Sequence, residues 1–404
     1  MNLILAWRNL WRNRKRTLIT VSMVALSVSL AVFMRSFQEG SYSKMIENAV
    51  GKYTGYVQVH QKDYWDDKSI DNGIELNNTL INTIKSVNTV EGVNLRLESF
   101  SLTSHGNRTK GAIVLGIIPE EENLLGLKSR IVKGSYINRS DSSVILGSKL
   151  AGYLKLSVGD SLILMGQGHW GQSAIAAYPV KGIVKMPSPE LDRQVVFIPL
   201  KLAQEYLSFP NGITSIIVKF SDARETHIIT NKLNSKLDAT KYSAIAWQEM
   251  TPELVQMIQS DRAGGILMIA ILYMIIVFGV FGTVLMMTEE RKREYAVMIS
   301  IGMQKAKLLS ISFYETILMN SIGIIVGIAI MIPLLIYFNY YPIHITGKGA
   351  ESFEKIGIEP IMPTIISFEI FLNQILVILS ISIIAYVYPL ISIIRLKIVK
   401  AMKR

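Results

Sequence analysis

Four apolar stretches, each long enough to cross a bilayer, constrain this chain more than any other feature: Thr17–Met34, Ala263–Met287, Leu308–Phe338 and Phe368–Ile394. At ~1.5 Å rise per residue, each reaches across a hydrocarbon core of ~30 Å as a helix. One lies near the N-terminus, three crowd the last third, and a long, mostly polar segment separates the first from the second. The pattern predicts a membrane protein of four transmembrane α-helices with a large extracytoplasmic α+β domain between the first and second. Residues 1–50 should hold the N-terminal segment, first helix and stalk, 51–248 the external domain, and 249–404 a second stalk with helices near 263–287, 308–338 and 368–394.

The basic residues set the orientation. Arg8, Arg12, Arg14, Lys15 and Arg16 precede the first span; Arg291, Lys292, Arg293, Lys305 and Lys307 follow the second; Arg395, Lys397, Lys400, Lys403 and Arg404 close the chain. All three groups belong on the cytoplasmic side by the positive-inside rule, so both termini are expected inside. The segment Gly40–Asp261 holds 23 basic and 22 acidic residues, so all but one unit of the net charge of +11 resides in the flanks. That distribution reports topology and argues against a nucleic-acid partner. The first span is read as an uncleaved anchor, since no A-x-A site precedes Arg35. The absence of cysteine excludes disulfides and metal-thiolate sites.

Between the stalks, Gly55–His60, Gly111–Gly116, Ser143–Gly147, Ser161–Met165 and Gln194–Pro199 have strand length and β-branched content. Helical periodicity marks Leu80–Val87, Leu200–Leu207 and Thr226–Leu237, giving an α+β domain of one or two subdomains. Arg35–Val50 and Thr251–Arg262 read as helical stalks, with Thr251 as cap and Pro252 in the first turn.

Catalytic patterns are missing. The five histidines show no H-x-x-x-H spacing, and neither G-x-S-x-G nor G-x-x-x-x-G-K-[ST] occurs, so neither a metal nor a cofactor of the chain's own is expected, nor enzymatic activity. The glycines of Leu164–Gly171 read as a mobile hairpin tip with Trp170 and Tyr178 beside it, and Asp160 as a tight-turn residue. Glu315, inside the third span, either pairs with a basic residue of a neighbouring helix or snorkels to water. Gly323 and Gly327 form G-x-x-x-G, suited to close helix packing, with a dimer contact as a special case. In the loop after the second span, 289–303 reads as an amphipathic helix. Tyr295, Met298, Ile299 and Gly302 share one face, preceded by Glu290, Arg291, Arg293 and Glu294. It suits either docking of a soluble cytoplasmic partner or simple interfacial anchoring.

The opening Ala6-Trp7-Arg8-Asn9-Leu10-Trp11-Arg12-Asn13-Arg14-Lys15-Arg16-Thr17-Leu18, the loop from Glu290-Arg291 to Gly302, Glu315 with Gly323 and Gly327, and the closing Tyr388-Pro389, Arg395-Leu396 and Lys400-Ala401-Met402 resemble permease subunits of the MacB/FtsX/LolE superfamily of ABC transporters. Val144–Gly147, Leu156–Asp160 and Val180–Ile183 resemble the periplasmic core of that superfamily. The resemblance implies a mechanotransmission permease of the bacterial inner membrane, paired with a second permease subunit, identical or homologous. A separate cytoplasmic ABC ATPase dimer, carrying ATP and Mg, would dock on the loop helix through Glu290, Arg291, Arg293, Glu294, Tyr295, Met298, Ile299 and Gly302. Gly55–His60 and the loop from Tyr341 through Gly347 to Pro360 look most like lipoprotein-releasing permeases of the LolC/LolE type. That implies lipoprotein cargo passed to a periplasmic carrier. Export of a peptide, antibiotic or other amphiphile, and a signalling scaffold that activates an external enzyme, stay open as alternatives. Acyl-chain extraction needs apolar surface at the outer leaflet, for which Val32, Phe33, Phe37, Met257, Ile258, Ile266, Leu267 and Ile336 are candidates, with Arg35 and Arg262 at the headgroups.

Overall fold

The computed structural model describes residues 2–12, 14–122, 126–347, 350 and 361–398. Positions 357–360 of the loop motif and 400–404 of the basic tail lie outside the described residues. Helices α1 (Asn2–Arg12) and α2 (Arg14–Ile46) open the chain, and a π-helical stretch follows at Glu47–Thr54. The inserted domain runs through strands β1 (Val57–Gln61), β2 (Ile74–Glu75), β3 (Gly92–His105), β4 (Arg108–Ile117), β5 (Ile131–Gly134), β6 (Val144–Gly147), β7 (Ser161–Gln167), β8 (Ser173–Val184), β9 (Val195–Pro199), β10 (Gly212–Ile213), β11 (Ser215–Lys219) and β12 (Tyr242–Ala246). Its helices are α3 (Asn78–Lys85), α4 (Ser148–Leu154), α5 (Pro189–Asp192), α6 (Leu200–Tyr206), α7 (Thr226–Lys236) and α8 (Trp247–Met250). Then come α9 (Pro252–Glu290), α10 (Lys292–Ser300), α11 (Lys305–Tyr340), a short hairpin of β13 (Ile343–His344) and β14 (Ile361–Met362), α12 (Phe368–Ala385) and α13 (Val387–Ile394).

Among the described residues, four segments are long and apolar enough to cross a membrane: Thr17–Gly51, Pro252–Glu290, Lys305–Tyr340 and Phe368–Ile394. The four expected spans are therefore present, and the first three exceed the apolar runs that announced them. At ~1.5 Å per residue, the 39 residues of α9 are about twice as long as a ~30 Å hydrocarbon core requires. In the fourth span Pro389 offers no N–H to the carbonyl of Ala385, and the helix is interrupted at Tyr386.

The chain divides into two compact units, one of Met1–Ser43, Met257–His344 and Ile361–Arg404, the other built around Lys44–Gln256. In the first, Val24, Val28 and Val32 of α2 pack with Ile276, Val280 and Val284 of α9, Ile324, Met331 and Leu335 of α11, and Ile378 and Ile381 of α12. Gly323 and Gly327 make the α2–α11 contact possible. A Cβ on Gly323 would stand 2.7 Å from Val24 Cβ, and one on Gly327 2.6 Å from the Ala25 carbonyl oxygen. The Ser29 hydroxyl donates to the Gly327 carbonyl at 3.1 Å. The G-x-x-x-G spacing thus serves packing within this chain.

In the second unit, one sheet runs in the order β12-β1-β11-β3-β4-β9-β6-β8-β5, with β7 joined to β3 and β8. This one sheet is continuous through the domain, with β10 and β2 forming a separate pair. The five predicted strands and three predicted helices all form, while the central β3, the longest strand, is not among them: its apolar alternation at Val93, Leu95 and Leu97 shifts by one residue before Phe100 and Leu102, and its interior is partly polar. It buries Asn94, Arg96, Ser101 and Thr103. Each has a partner: Arg96 Nε donates to Glu122 at 2.9 Å, Asn94 Nδ2 to Glu122 at 3.1 Å, and Thr103 to the Lys110 carbonyl at 2.6 Å, while Ser101 and Tyr206 share a hydrogen bond of 3.0 Å. Burying a polar group is tolerable once it is bonded, so tertiary partners make this strand.

Two local expectations need correction. The β7–β8 tip is pinned: the His169 ring stacks on Phe209 at 4.1 Å, the His169 N–H donates to the Leu207 carbonyl, and the Trp170 N–H donates to Asp71 at 2.7 Å. Trp170 is nonetheless 75% exposed, and Tyr178 is half-buried. Thr251 does not cap α9, because its hydroxyl donates backwards to the Trp247 carbonyl at 2.9 Å. Asp160 is the turn residue expected, accepting from the Ser157 N–H at 2.8 Å beside Gly159 at φ +96°.

His60 on β1 is buried, stacked on Tyr64 at 4.9 Å, with Nδ1 2.9 Å from the Thr214 carbonyl oxygen. Burial pushes its imidazole down to about 4 from an ordinary 6.5, with the Thr214 contact opposing. The unfolded chain takes up this proton near the ordinary value and the folded domain only near 4. The stability contributed is therefore complete above the ordinary value and lost as pH falls towards 4, amounting to about 3 kcal/mol. Denaturant titrations at successive pH values should show this loss, and His60→Gln should remove that part of the slope. An identical pH profile for the variant would contradict it.

Candidate functional site

The functional geometry of the membrane unit gathers where α9 ends, α10 begins and α1 lies against α11. Arg291, in a non-helical conformation, separates α9 from α10. This break turns its side chain to α11, where Arg291 and Glu315 form a buried ion pair, 5% and 2% exposed. The second carboxylate oxygen of Glu315 accepts from Asn9 Nδ2 of α1 at 2.6 Å. Arg291 Nε also reaches Glu294 at 3.3 Å, and Glu294 accepts from Arg12 of α1 at 2.7 Å. Asn9, Arg12, Arg291, Glu294 and Glu315 therefore tie three helices together. Of the two readings of Glu315, pairing holds and snorkelling does not. A charge removed from water needs such fully bonded partners, and breaking one leaves the other stranded.

The same network revises the role of α10. Tyr295 is 3% exposed and packs with Leu308 and Ile393, with Met298 and Ile299 half-buried against them. The Arg291 guanidinium lies 5.2 Å from the Tyr295 ring centre. These residues face their own chain, so Tyr295 and Arg291 are not available to a docking partner and Met298 and Ile299 only in part. Gly302 has a backbone role. At φ +101° it closes α10, its N–H bonded to the Ile299 carbonyl and the Met303 N–H to that of Met298. The outward side carries Arg293, Glu294, Val297 at 40% exposure and Ile301 at 81%. Val297 and Ile301, four residues apart, are the apolar pair that the sequence reading passed over. Glu290 stands at the α9 end of this junction and lines a groove with Arg293.

At the opposite ends of α2 and α9, Arg262 pairs with Glu39 at 2.9 Å and Arg35 with Glu39 at 3.7 Å. Tyr42 donates to Asp261 at 2.6 Å and accepts from Gln38 at 2.8 Å. Arg262 thus joins α9 to α2, whereas Arg35 pairs within α2, and both side chains keep surface open to the surroundings. Of the residues proposed for cargo, Val32 and Ile258 are buried within the chain and cannot meet an acyl chain. Phe33 and Phe37 are half-buried, Phe33 against Phe338, while Met257, Ile266, Leu267 and Ile336 are exposed. Among the described residues no group of acidic residues and histidines has the arrangement of a metal site.

Residues 17–235 match the family model of the MacB-like periplasmic core domain, and residues 266–398 that of the FtsX-like permease C-terminal region. Among curated relatives, the lipoprotein-releasing system transmembrane protein LolC of Xylella fastidiosa is 22% identical over 251 residues, covering 59% of each chain. The corresponding LolE of Haemophilus influenzae is 21% identical over 253 residues, 61% of this chain and 60% of its own. The macrolide export ATP-binding/permease protein MacB of Nitrobacter winogradskyi is 23% identical over 335 residues, 78% of this chain and 49% of its own. The chain thus spans about six-tenths of the length of the first two relatives and half of the third. Among solved structures, the periplasmic region of MacB from Actinobacillus actinomycetemcomitans aligns at 16% identity and TM-score 0.36, over 50% of this chain and 94% of its own. With one family model covering the inserted domain and another the last three spans, the chain belongs to the MacB/FtsX/LolE superfamily of ABC transporter permeases.

Proposed function

We propose that this chain is the permease subunit of a mechanotransmission ABC transporter that releases lipoproteins from the inner membrane to a periplasmic carrier. A separate cytoplasmic ATPase dimer holds the ATP and Mg, and a second permease subunit completes the complex. The observation that carries the reading is α10: one face is locked to α1 and α11 through Arg291, Glu315 and Asn9, and the other presents Arg293, Glu294, Val297 and Ile301. A short helix fixed to a span by a buried ion pair transmits a push applied to its free side, whereas a mobile loop would absorb it. Lipoprotein cargo is supported by the LolC and LolE relatives, and by exposed Ile266 and Leu267 near the outer part of α9. The similarity to MacB over a longer stretch favours a second reading, amphiphile export.

A photo-cross-linking residue at Leu267 should capture lipoprotein before ATP is added and lose it after hydrolysis with carrier present, while the same residue at buried Ile258 should capture none. Each acyl methylene needs about 0.8 kcal/mol of apolar contact, so polar substitutions at Phe37 and Leu267 together should slow release severalfold. Capture of phospholipid alone, with release unaffected, would select the amphiphile reading. For orientation, a cysteine at Ser142 should label from outside intact cells and one at Lys397 should not.

A further inference from the structure

The end of α9, the start of α10 and the last turns of α13 enclose a groove of about 580 Å³. Four cations, Lys292, Arg293, Arg395 and Lys397, line it with two carboxylates, Glu289 and Glu290. Glu289 is taken up by Lys292 and by the Tyr388 hydroxyl. Among the described residues, Arg293, Arg395 and Lys397 have no carboxylate within ion-pair distance. Among the described residues the groove therefore holds three cations outside any ion pair, with Glu290 on the same lining, and four cations against two carboxylates in all. Its apolar wall, Ile391, continues into the exposed face of α13 formed with Val387 and Ile394. Both α9 and α13 end here as candidate spans, so the groove stands where helices leave hydrocarbon, at the depth of lipid headgroups.

We propose that this groove seats the phosphate of an anionic phospholipid headgroup, gripped by Arg293, Arg395 and Lys397, with Ile391 against the first part of the acyl chains. The chemistry follows from the pairing of cations with an apolar wall open to the membrane. Guanidinium groups bind phosphate oxygens through paired N–H donors, and basic residues at a membrane surface each add to the affinity for anionic lipid. A soluble peptide would satisfy the cations but leave the apolar continuity with the lipid-facing side of α13 unused. The inference needs no ATPase, and of the three cations only Arg293 also lies on the docking face of α10, so the test is placed on Arg395 and Lys397.

The test uses the full chain, without ATPase, in nanodiscs of phosphatidylcholine containing a minority of phosphatidylglycerol. The native chain, extracted in mild detergent, should retain phosphatidylglycerol in excess of its share by mass spectrometry. Arg395→Gln with Lys397→Gln should lower that retention roughly tenfold or more, and Lys397→Arg should preserve it. Inorganic phosphate in large excess should displace little, because it lacks the acyl contact. Unchanged retention in the double variant, or full displacement by inorganic phosphate, would overturn the proposal. In a parallel co-purification with the ATPase present, a double variant that keeps phosphatidylglycerol but loses the ATPase would likewise overturn it and assign the groove to that partner.

Discussion

Arg291→Ala should destabilise the membrane unit by about 3–5 kcal/mol, the cost of stranding a buried carboxylate. Glu315 would keep only the Asn9 amide at 2.6 Å, inside a contact that excludes water. Denaturant titration of the purified chain in mild detergent, followed by tryptophan fluorescence, measures the loss. The control is the double replacement R291M/E315M, which removes both charges at similar volume. It should recover most of the stability, since an apolar pair often equals or exceeds a buried ion pair. Glu315→Gln should fall between, because the amide still meets Asn9 and Arg291. A native-like transition for Arg291→Ala would mean that Glu315 reaches water after all, and the three-helix tie would have to be abandoned.

Ile301→Asp should weaken ATPase association by roughly thirtyfold or more while leaving the unfolding transition in place, because the side chain is 81% exposed and supports nothing within the chain. Met298→Asp should do the reverse, destabilising the packed cluster of Tyr295, Leu308 and Ile393 before any partner is involved. Measuring both co-purification and stability for both variants separates the two faces of α10. If Met298→Asp released the ATPase from a fully stable chain and Ile301→Asp retained it, the docking face would be the one that periodicity first suggested.

That contrast shows why α10 could be found but not oriented from sequence. Tyr295, Met298, Ile299 and Gly302 recur at helical spacing, yet so do Arg293, Val297 and Ile301 one step round the helix. Two overlapping apolar stripes on a short helix carry no label for inside and outside. The label comes from α11 and α13, whose Leu308 and Ile393 receive Tyr295. Arg291 misled in the same way, because its neighbours in sequence are charged and exposed while its partner, Glu315, lies on another helix.

The four spans were legible because hydrocarbon admits little except long apolar helices, so composition alone suffices at that scale. The strands β1, β4, β6, β7 and β9 were legible for a related reason: β-branched runs bounded by turn residues have few other uses. In the central β3 the alternation of Val93, Leu95 and Leu97 was readable, but the burial of Asn94, Arg96, Ser101 and Thr103 was not, since they become tolerable inside only when Glu122, Tyr206 and the Lys110 carbonyl arrive from elsewhere in the chain. By itself the sequence determined the spans, the inserted domain and the basic ends, all of which follow from transfer free energies summed over adjacent residues. Only the tertiary structure decided that Glu315 is paired, that Arg262 joins α9 to α2, that Val32 and Ile258 are hidden, and which side of α10 is free. Each of these depends on a partner distant in sequence, and a buried charge or a helix face has no preferred state until that partner is in place.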